Sequence, residues 1–272
     1  MAVPRTSLII AFYQEVHSLE LVFAALEKQS FKEFEVIVAD DGTSGEVSLQ
    51  VKELLLRSPL QSSHIWQEDN GFRKNAILNK AVQFSSADHL IFIDMDCVPH
   101  KEFVLGHVEN KEEMKFLTGR RVNLSKKITE KLTPENIRHG YLDSNLMYLI
   151  CDSIIGGTKD VEKGIYIKSS LIRKLLNKKK RGILGSNFSI HKKDLLDING
   201  FDERYTGPSV GEDSDIQYRL ELNGLQINSL NNIAIQYHLY HKQKPISQNN
   251  LALFESVKKE QQMYTRFGIN KA

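Results

Sequence analysis

Three short apolar runs, at residues 7–12, 34–39 and 89–93, constrain this chain more than any other feature. Runs of that length, bounded by polar residues, read as buried strands. The segments between them carry helical spacing. Ser18 can cap a helix reaching residue 29, with Leu19, Val22, Phe23 and Leu26 as its apolar stripe. Residues 47–56 read as a second helix, stopped by Ser58-Pro59, and residues 72–84 as a third, with Ile77, Leu78, Ala81 and Val82 on one side. Residues 63–67 form a weak strand between the last two. Strand and helix in alternation predict an α/β layer with a parallel sheet. In such sheets ligands bind beyond the carboxyl ends of the strands. Two acidic clusters, Asp40-Asp41-Gly42 and Asp94-Met95-Asp96, fall at those ends.

The second half is less regular. Residues 135–151 have helical spacing, residues 183–190 read as a strand, 192–198 as a short helix and 211–223 as a helix stopped by Gly224. Short strands follow at 225–227 and 233–237, then a C-terminal helix over 250–267. No linker rich in Pro, Gly or Ser interrupts the 272 residues, which are therefore expected to form one domain. Its parts are a nucleotide-sugar-binding lobe over 1–120, an acceptor and catalytic lobe over 121–245, and a helix over 246–272.

Charge bounds the partners. Thirty-six basic residues against thirty-four acidic ones leave +2, which argues against a nucleic-acid binder. Two cysteines are too few for a disulfide framework or a zinc site and fit a reducing cytoplasm. The N-terminal apolar run is too short for a signal-peptide core or a membrane span. A cytoplasmic protein is expected, visiting the inner face of the membrane from outside it if its acceptor is lipid-linked.

The acidic clusters admit two readings each. Asp94 and Asp96, two apart on an extended chain, share a face and can hold a hard cation such as Mg²⁺ or Mn²⁺ beside diphosphate oxygens. Equally, both can satisfy turn amides. One of Asp40 and Asp41 can accept a bond from a nucleobase while the other pins the turn, and Asp40 suits the turn. Glu212, Asp213 and Asp215 can cap the helix they open, or one of them can take a proton from an acceptor hydroxyl. His238 and His241 can complete a metal site or lie in a surface loop. The basic stretch 173–181, with Arg173, Lys174, Lys178, Lys179, Lys180 and Arg181, is either a solvated face or a contact for phosphates of a lipid-linked acceptor. Dinucleotide-binding, P-loop and nucleophile-elbow motifs are missing from the sequence.

Taken in order, several blocks resemble the family 2 inverting glycosyltransferases with the glycosyltransferase-A fold. They are Ser7-Leu-Ile-Ile-Ala-Phe-Tyr13, Val36-Ile-Val-Ala-Asp-Asp-Gly-Thr43, Gln67-Glu-Asp-Asn-Gly-Phe-Arg-Lys74 with Asn79-Lys80-Ala81, Leu90 through Asp96, and Gly185-Ser-Asn-Phe-Ser189 leading to Gly211-Glu212-Asp213. The last block also resembles galactosyl- and N-acetylgalactosaminyl-transferases.

The resemblance implies a Rossmann-like, mostly parallel central sheet flanked by helices, with an acceptor-side C-terminal lobe. It implies a UDP-sugar donor, Mn²⁺ or Mg²⁺ as cofactor, and a glycan or polyprenyl-linked acceptor in surface polysaccharide synthesis. Asp41 would contact the base and Asp94 the ribose and metal side. Asp96 would be the direct metal ligand, with His238 as the later one and His241 as its alternate. Asp213 would be the catalytic base and Glu212 would orient the acceptor. Phe12, Arg73, Lys74 and Asn187 would lie around the nucleotide and sugar. Many relatives carry arginine where this chain has Leu78, which leaves Arg73 as the substitute cation. Two competing readings are a sugar nucleotidyltransferase, whose triphosphate loop has no counterpart near residues 12–16, and a non-catalytic nucleotide-sugar-binding protein on the same fold.

Overall fold

The computed structural model describes residues 4–176, 182–208, 212–242 and 245–271. In chain order the elements are β1 (Thr6–Phe12), α1 (Val16–Leu26), β2 (Phe34–Asp40), α2 (Gly45–Arg57), β3 (Ser62–Trp66), α3 (Lys74–Phe84) and β4 (His89–Asp94). Then come β5 (Cys97–Pro99), α4 (Phe103–Glu109), β6 (Lys115–Thr118), β7 (Arg120–Asn123), α5 (Lys126–Thr129), α6 (Pro134–Arg138), α7 (Tyr141–Ser144), α8 (Leu146–Ile154) and α9 (Ser170–Leu176). The rest are β8 (Asn187–His191), α10 (Lys192–Asp197), α11 (Glu212–Leu222), β9 (Gln226–Ser229), β10 (Ile235–His238) and α12 (Gln248–Glu260).

The main sheet has the order β3-β2-β1-β4-β8-β6-β9. Every pairing in it is parallel except those of β8, which runs against both β4 and β6. The three apolar runs are its central strands, continuous in hydrophobicity because both faces are covered. Alternation divides their side chains between two cores. Leu8, Ile10, Val36, Val38, Ile91 and Ile93 pack with Leu19, Val22 and Phe23 of α1 on one face. Ile9, Ile37, Leu90 and Phe92 pack on the other with Ile77, Leu78, Ala81 and Val82 of α3 and Ile216 and Leu220 of α11. Strands β6, β8 and β9 come from beyond residue 112, so the sheet draws on both halves of the chain.

A second sheet, β5-β10-β7, was not expected around residues 97–99 and 120–123. The helix expected over residues 135–151 is broken into α6, α7 and α8. Gly140 takes φ 74° between the first two, and Asn145 leaves the helical region between the second and third. The expected C-terminal helix stops at Glu260, where Gln261 turns left-handed at φ 51°. The segment beyond it packs onto residues 199–203 instead. Asn199 Nδ2 donates to the carbonyls of Thr265 and Asn270, and Thr265 Oγ1 donates to Asp202. Of the basic stretch, residues 173–176 end α9 and residues 177–181 lie outside the described residues.

Candidate active site

Strand β4 delivers Asp94 to the carboxyl edge of the sheet, opposite Ala11 of β1. The chain then turns, with Met95 N–H held by the Ala11 carbonyl at 3.1 Å, and enters β5. Strand β5 pairs antiparallel with β10, so Cys97 faces His238 across the ladder. Leu239 N–H donates to the Asp96 carbonyl at 2.8 Å and closes this junction. Two segments remote in sequence are thereby brought together at Asp96.

The result is a compact triangle of donor atoms. Asp96 Oδ2 lies 3.5 Å from His238 Nε2 and 3.2 Å from His241 Nε2, and the two imidazole nitrogens are 3.1 Å apart. Ligand atoms about 2.1 Å from a shared ion stand about 3.0–3.4 Å from one another in octahedral or tetrahedral coordination. The triangle is therefore close to the spacing that one divalent cation requires, and it brings both histidines to Asp96. Burial alone would raise the Asp96 carboxyl, but its bonds to His238 and His241 outweigh burial and hold it well below the usual carboxylate range. The same contact with Asp96 raises His241, against a smaller desolvation effect.

Cys97 also has its sulfur near this group. Its thiol is fully buried and is pushed well above its ordinary value by desolvation and by the charges of Asp96 and Asp94. It stays protonated and donates to Asp96 Oδ1 at 3.4 Å. Asp94 is not part of the triangle. Its carboxylate is paired with Lys74 Nζ at 2.9 Å, across the entrance between β4 and α3.

At the ends of β1 and β2, Asp40 serves the turn. Its carboxylate accepts from Gly42 N–H, Thr43 N–H and Thr43 Oγ1, and it meets His64 Nε2 at 2.8 Å. Asp41 is held by Gln67 Nε2 at 2.6 Å and by Arg73 N–H at 2.8 Å. Burial raises its carboxyl, and these bonds counter only part of that.

Phe12 differs from expectation. Its ring is buried in the core, so only its carbonyl serves the site, accepting Asp41 N–H at 3.0 Å. Tyr13 is the exposed ring at this strand end and donates its hydroxyl to Asp69 Oδ2 at 3.2 Å. Strand alternation, carried one residue past the apolar run, could have found it. Leu78, in the place of the relatives' arginine, is also core.

Asp213 arrives by another route. Strand β8 is antiparallel to β4 with Asn187 opposite Ile93, so its start lies at the same sheet edge as Asp94. Two residues earlier, Gly185 N–H donates to Asp213 Oδ2 at 2.8 Å. A Cβ at Gly185 would collide with that carboxylate, which explains the glycine. Asp215, two residues further along α11, turns inward. It forms a buried pair with Arg219 at 2.6 Å and accepts from the Tyr205 hydroxyl. The Glu212 side chain lies outside the described residues.

Asn187 is a correction. Its amide is buried, with Nδ2 donating to the carbonyls of Arg120 and Ala234 and Oδ1 meeting Gly119 N–H and His107 Nε2. All its bonding positions are used inside the protein, so it braces the start of β8 against β7 and the residue before β10 rather than facing a sugar. His107 is held by the same brace, its Nδ1 2.8 Å from Ser189 Oγ, and burial lowers it to about 3.

Arg121 went unnoticed in the sequence, where it is one of two adjacent arginines. It projects from β7, donates to Ser186 Oγ at 3.3 Å, and lies close enough to Cys97 and His241 to shift both electrostatically. No carboxylate among the described residues pairs with it. It stands between the donor triangle and the Gly185 segment that holds Asp213.

Comparison with known proteins identifies the family and the fold. The family model described as glycosyl transferase family 2 matches residues 7–194, and one described as the N-terminal domain of galactosyltransferase matches residues 173–242. The chain is 24% identical to a chondroitin synthase of Escherichia coli over 259 residues, covering 89% of this chain and 35% of that protein. It is 27% identical to the uncharacterized glycosyltransferase YfnE of Bacillus subtilis, covering 81% of this chain and 61% of the relative. The chain thus spans about a third to three fifths of these two proteins.

Among solved structures, the mannosyltransferase PcManGT from Pyrobaculum calidifontis, in complex with GDP-Man and Mn²⁺, superimposes with TM-score 0.58 at 14% identity. That match covers 88% of this chain and 58% of the mannosyltransferase. TarS of S. aureus gives 0.56 at 18% identity, covering 87% of this chain and 37% of TarS. These likenesses establish the glycosyltransferase-A fold. The first family model spans well over half of the residues, and the chain belongs to glycosyl transferase family 2.

Proposed function

We propose that this glycosyltransferase is metal-dependent and inverting, and moves a hexosyl unit from a UDP-sugar to a hydroxyl of a glycan or lipid-linked acceptor. The observation that carries the reading is the convergence of Asp96, His238 and His241 with the Gly185-held carboxylate of Asp213 at one sheet edge. Asp96, His238 and His241 would hold a divalent ion, which when bound neutralises charge on the departing diphosphate. Asp213 takes the proton of the acceptor hydroxyl as that oxygen attacks the anomeric carbon opposite the nucleotide, so configuration inverts. Asp41, Arg73 and Tyr13 form the nucleoside end, and Lys74 fixes Asp94 beside it. The galactosyltransferase match and the chondroitin synthase relative favour a galactose- or hexosamine-type donor on UDP. The chondroitin synthase relative also favours a role in polysaccharide synthesis.

A thermal-shift titration with UDP, GDP and dTDP, each with and without Mn²⁺, tests the reading. A ligand at about 100 times its dissociation constant adds about 2.7 kcal/mol of stability. UDP should stabilise the fold only when metal is present. Stabilisation by GDP instead would keep the site and change the donor. Silence with every nucleotide would overturn the donor site. Sugar transfer, or slow donor hydrolysis, then separates an enzyme from a binding protein.

A further inference from the structure

Helix α9 exposes what a helix in a folded domain normally covers. Leu171, Ile172, Leu175 and Leu176 are 73%, 49%, 67% and 65% exposed. At about 100° per residue these four positions fall within about 140° of the helix circumference, a continuous apolar face. Positions 173 and 174 occupy the opposite half. Arg173 there folds back, donating to the carbonyls of Ile167 and Lys168 at 2.7 and 2.6 Å. The sequence from 168 to 181 holds seven basic residues and no acidic one. The remaining chain therefore carries 29 basic residues against 34 acidic, so the positive charge is concentrated on this segment.

We infer that α9 is an interfacial helix that lays its apolar face into an anionic lipid surface. An apolar stripe within a basic stretch of sequence is the chemistry of a helix lying in the headgroup plane. A second copy of the chain fits the face poorly, because a two-fold contact through α9 would set the same basic segment against itself. A purely anionic polymer would use the charges and leave the four aliphatic side chains in water. Among the described residues no helix is long and apolar enough to cross a membrane, so attachment through α9 lies in the plane of the bilayer. The surface is independent of the donor site, and its test needs no catalysis.

The test is flotation of the chain with vesicles of phosphatidylcholine alone and with about one third phosphatidylglycerol, at low and at physiological salt. Binding is expected only to the anionic vesicles and should persist at physiological salt. The double variant Leu171→Ser and Leu175→Ser keeps every charge and should lower partitioning by about tenfold or more. Both side chains are largely exposed, so its melting temperature should match the wild type, and a melt of each sample checks this. Binding that salt abolishes and the double variant leaves unchanged would overturn insertion and leave a purely electrostatic contact. No vesicle binding, with a concentration-dependent dimer that the serine variant dissolves, would overturn the lipid partner in favour of a second copy.

Discussion

Replacing Asp213 with asparagine keeps the shape of the side chain and removes its basicity. The carboxylate accepts Gly185 N–H at 2.8 Å, and the close approach of that glycine fixes where it can sit. Asparagine can keep the bond through its amide oxygen, as a neutral acceptor in place of a charged one. That exchange costs about 1 kcal/mol of stability, or about 2–4 °C in melting temperature for a chain of this size. Catalysis should suffer far more. A placed general base contributes about 10²–10⁴-fold, or about 2.7–5.4 kcal/mol of barrier.

The assay is initial-rate transfer at saturating donor, paired with calorimetric titration of the nucleoside diphosphate in the presence of metal. Turnover should fall by at least about a hundredfold, while nucleotide affinity stays within about twofold because Asp213 lies outside the donor triangle. Gly185→Ala is the companion variant. It leaves Asp213 in the sequence but puts a methyl group where the carboxylate rests, and it should lower turnover without weakening the nucleotide. A folded Asp213→Asn protein turning over within about threefold of wild type would refute the base assignment. Loss of nucleotide binding in that variant would refute the separation of base and donor site.

Two further outcomes follow from the same geometry. His107 is buried and neutral, its ring lowered from 6.5 to about 3 by desolvation, so below about pH 6.5 the unfolded chain binds the extra proton. Stability is then present above that pH and lost as pH falls. Between pH 7.5 and 5.5 this histidine alone should cost the wild type about 1.4 kcal/mol more than it costs His107→Gln. Urea unfolding at the two pH values measures the difference, and equal losses would mean that the ring is not held neutral. We propose that Arg121, beside the donor triangle, meets the diphosphate, so Arg121→Ala should weaken the metal-dependent binding of the nucleoside diphosphate by about tenfold or more, the scale of one charge-assisted hydrogen bond. Lysine at that position should restore part of it, and an unchanged calorimetric affinity would remove Arg121 from the diphosphate.

What could be read in the sequence tracks how local its cause is. Strands β1, β2 and β4 were legible because burial on both faces leaves an unbroken apolar run, and their acidic ends marked the ligand edge without any partner. Strands β5 and β7 were not, since Cys97-Val98-Pro99 and Arg120-Arg121-Val122-Asn123 are too short and too polar to show a period. Their importance is positional. The pairing of Cys97 with His238 is what carries an imidazole to Asp96, and no local pattern near either residue announces it. The residue types offered His238 and His241 either as metal ligands or as loop residues, and only the resemblance to a family favoured the first.

The errors have physical causes too. Phe12 and Tyr13 differ by one place in a strand whose alternation fixes which ring is core, and the apolar run hides where it stops. Asn187 opens a strand at the right edge of the sheet, yet a polar residue there can either face the ligand or bind the backbone of neighbouring strands. That choice is made here by the carbonyls of Arg120 and Ala234 and the N–H of Gly119, which together occupy the amide. The backbone groups around Asn187 claim all of its bonds, whereas the Tyr13 hydroxyl and the Arg121 guanidinium each donate to one side chain, Asp69 and Ser186, and are held by no backbone group among the described residues.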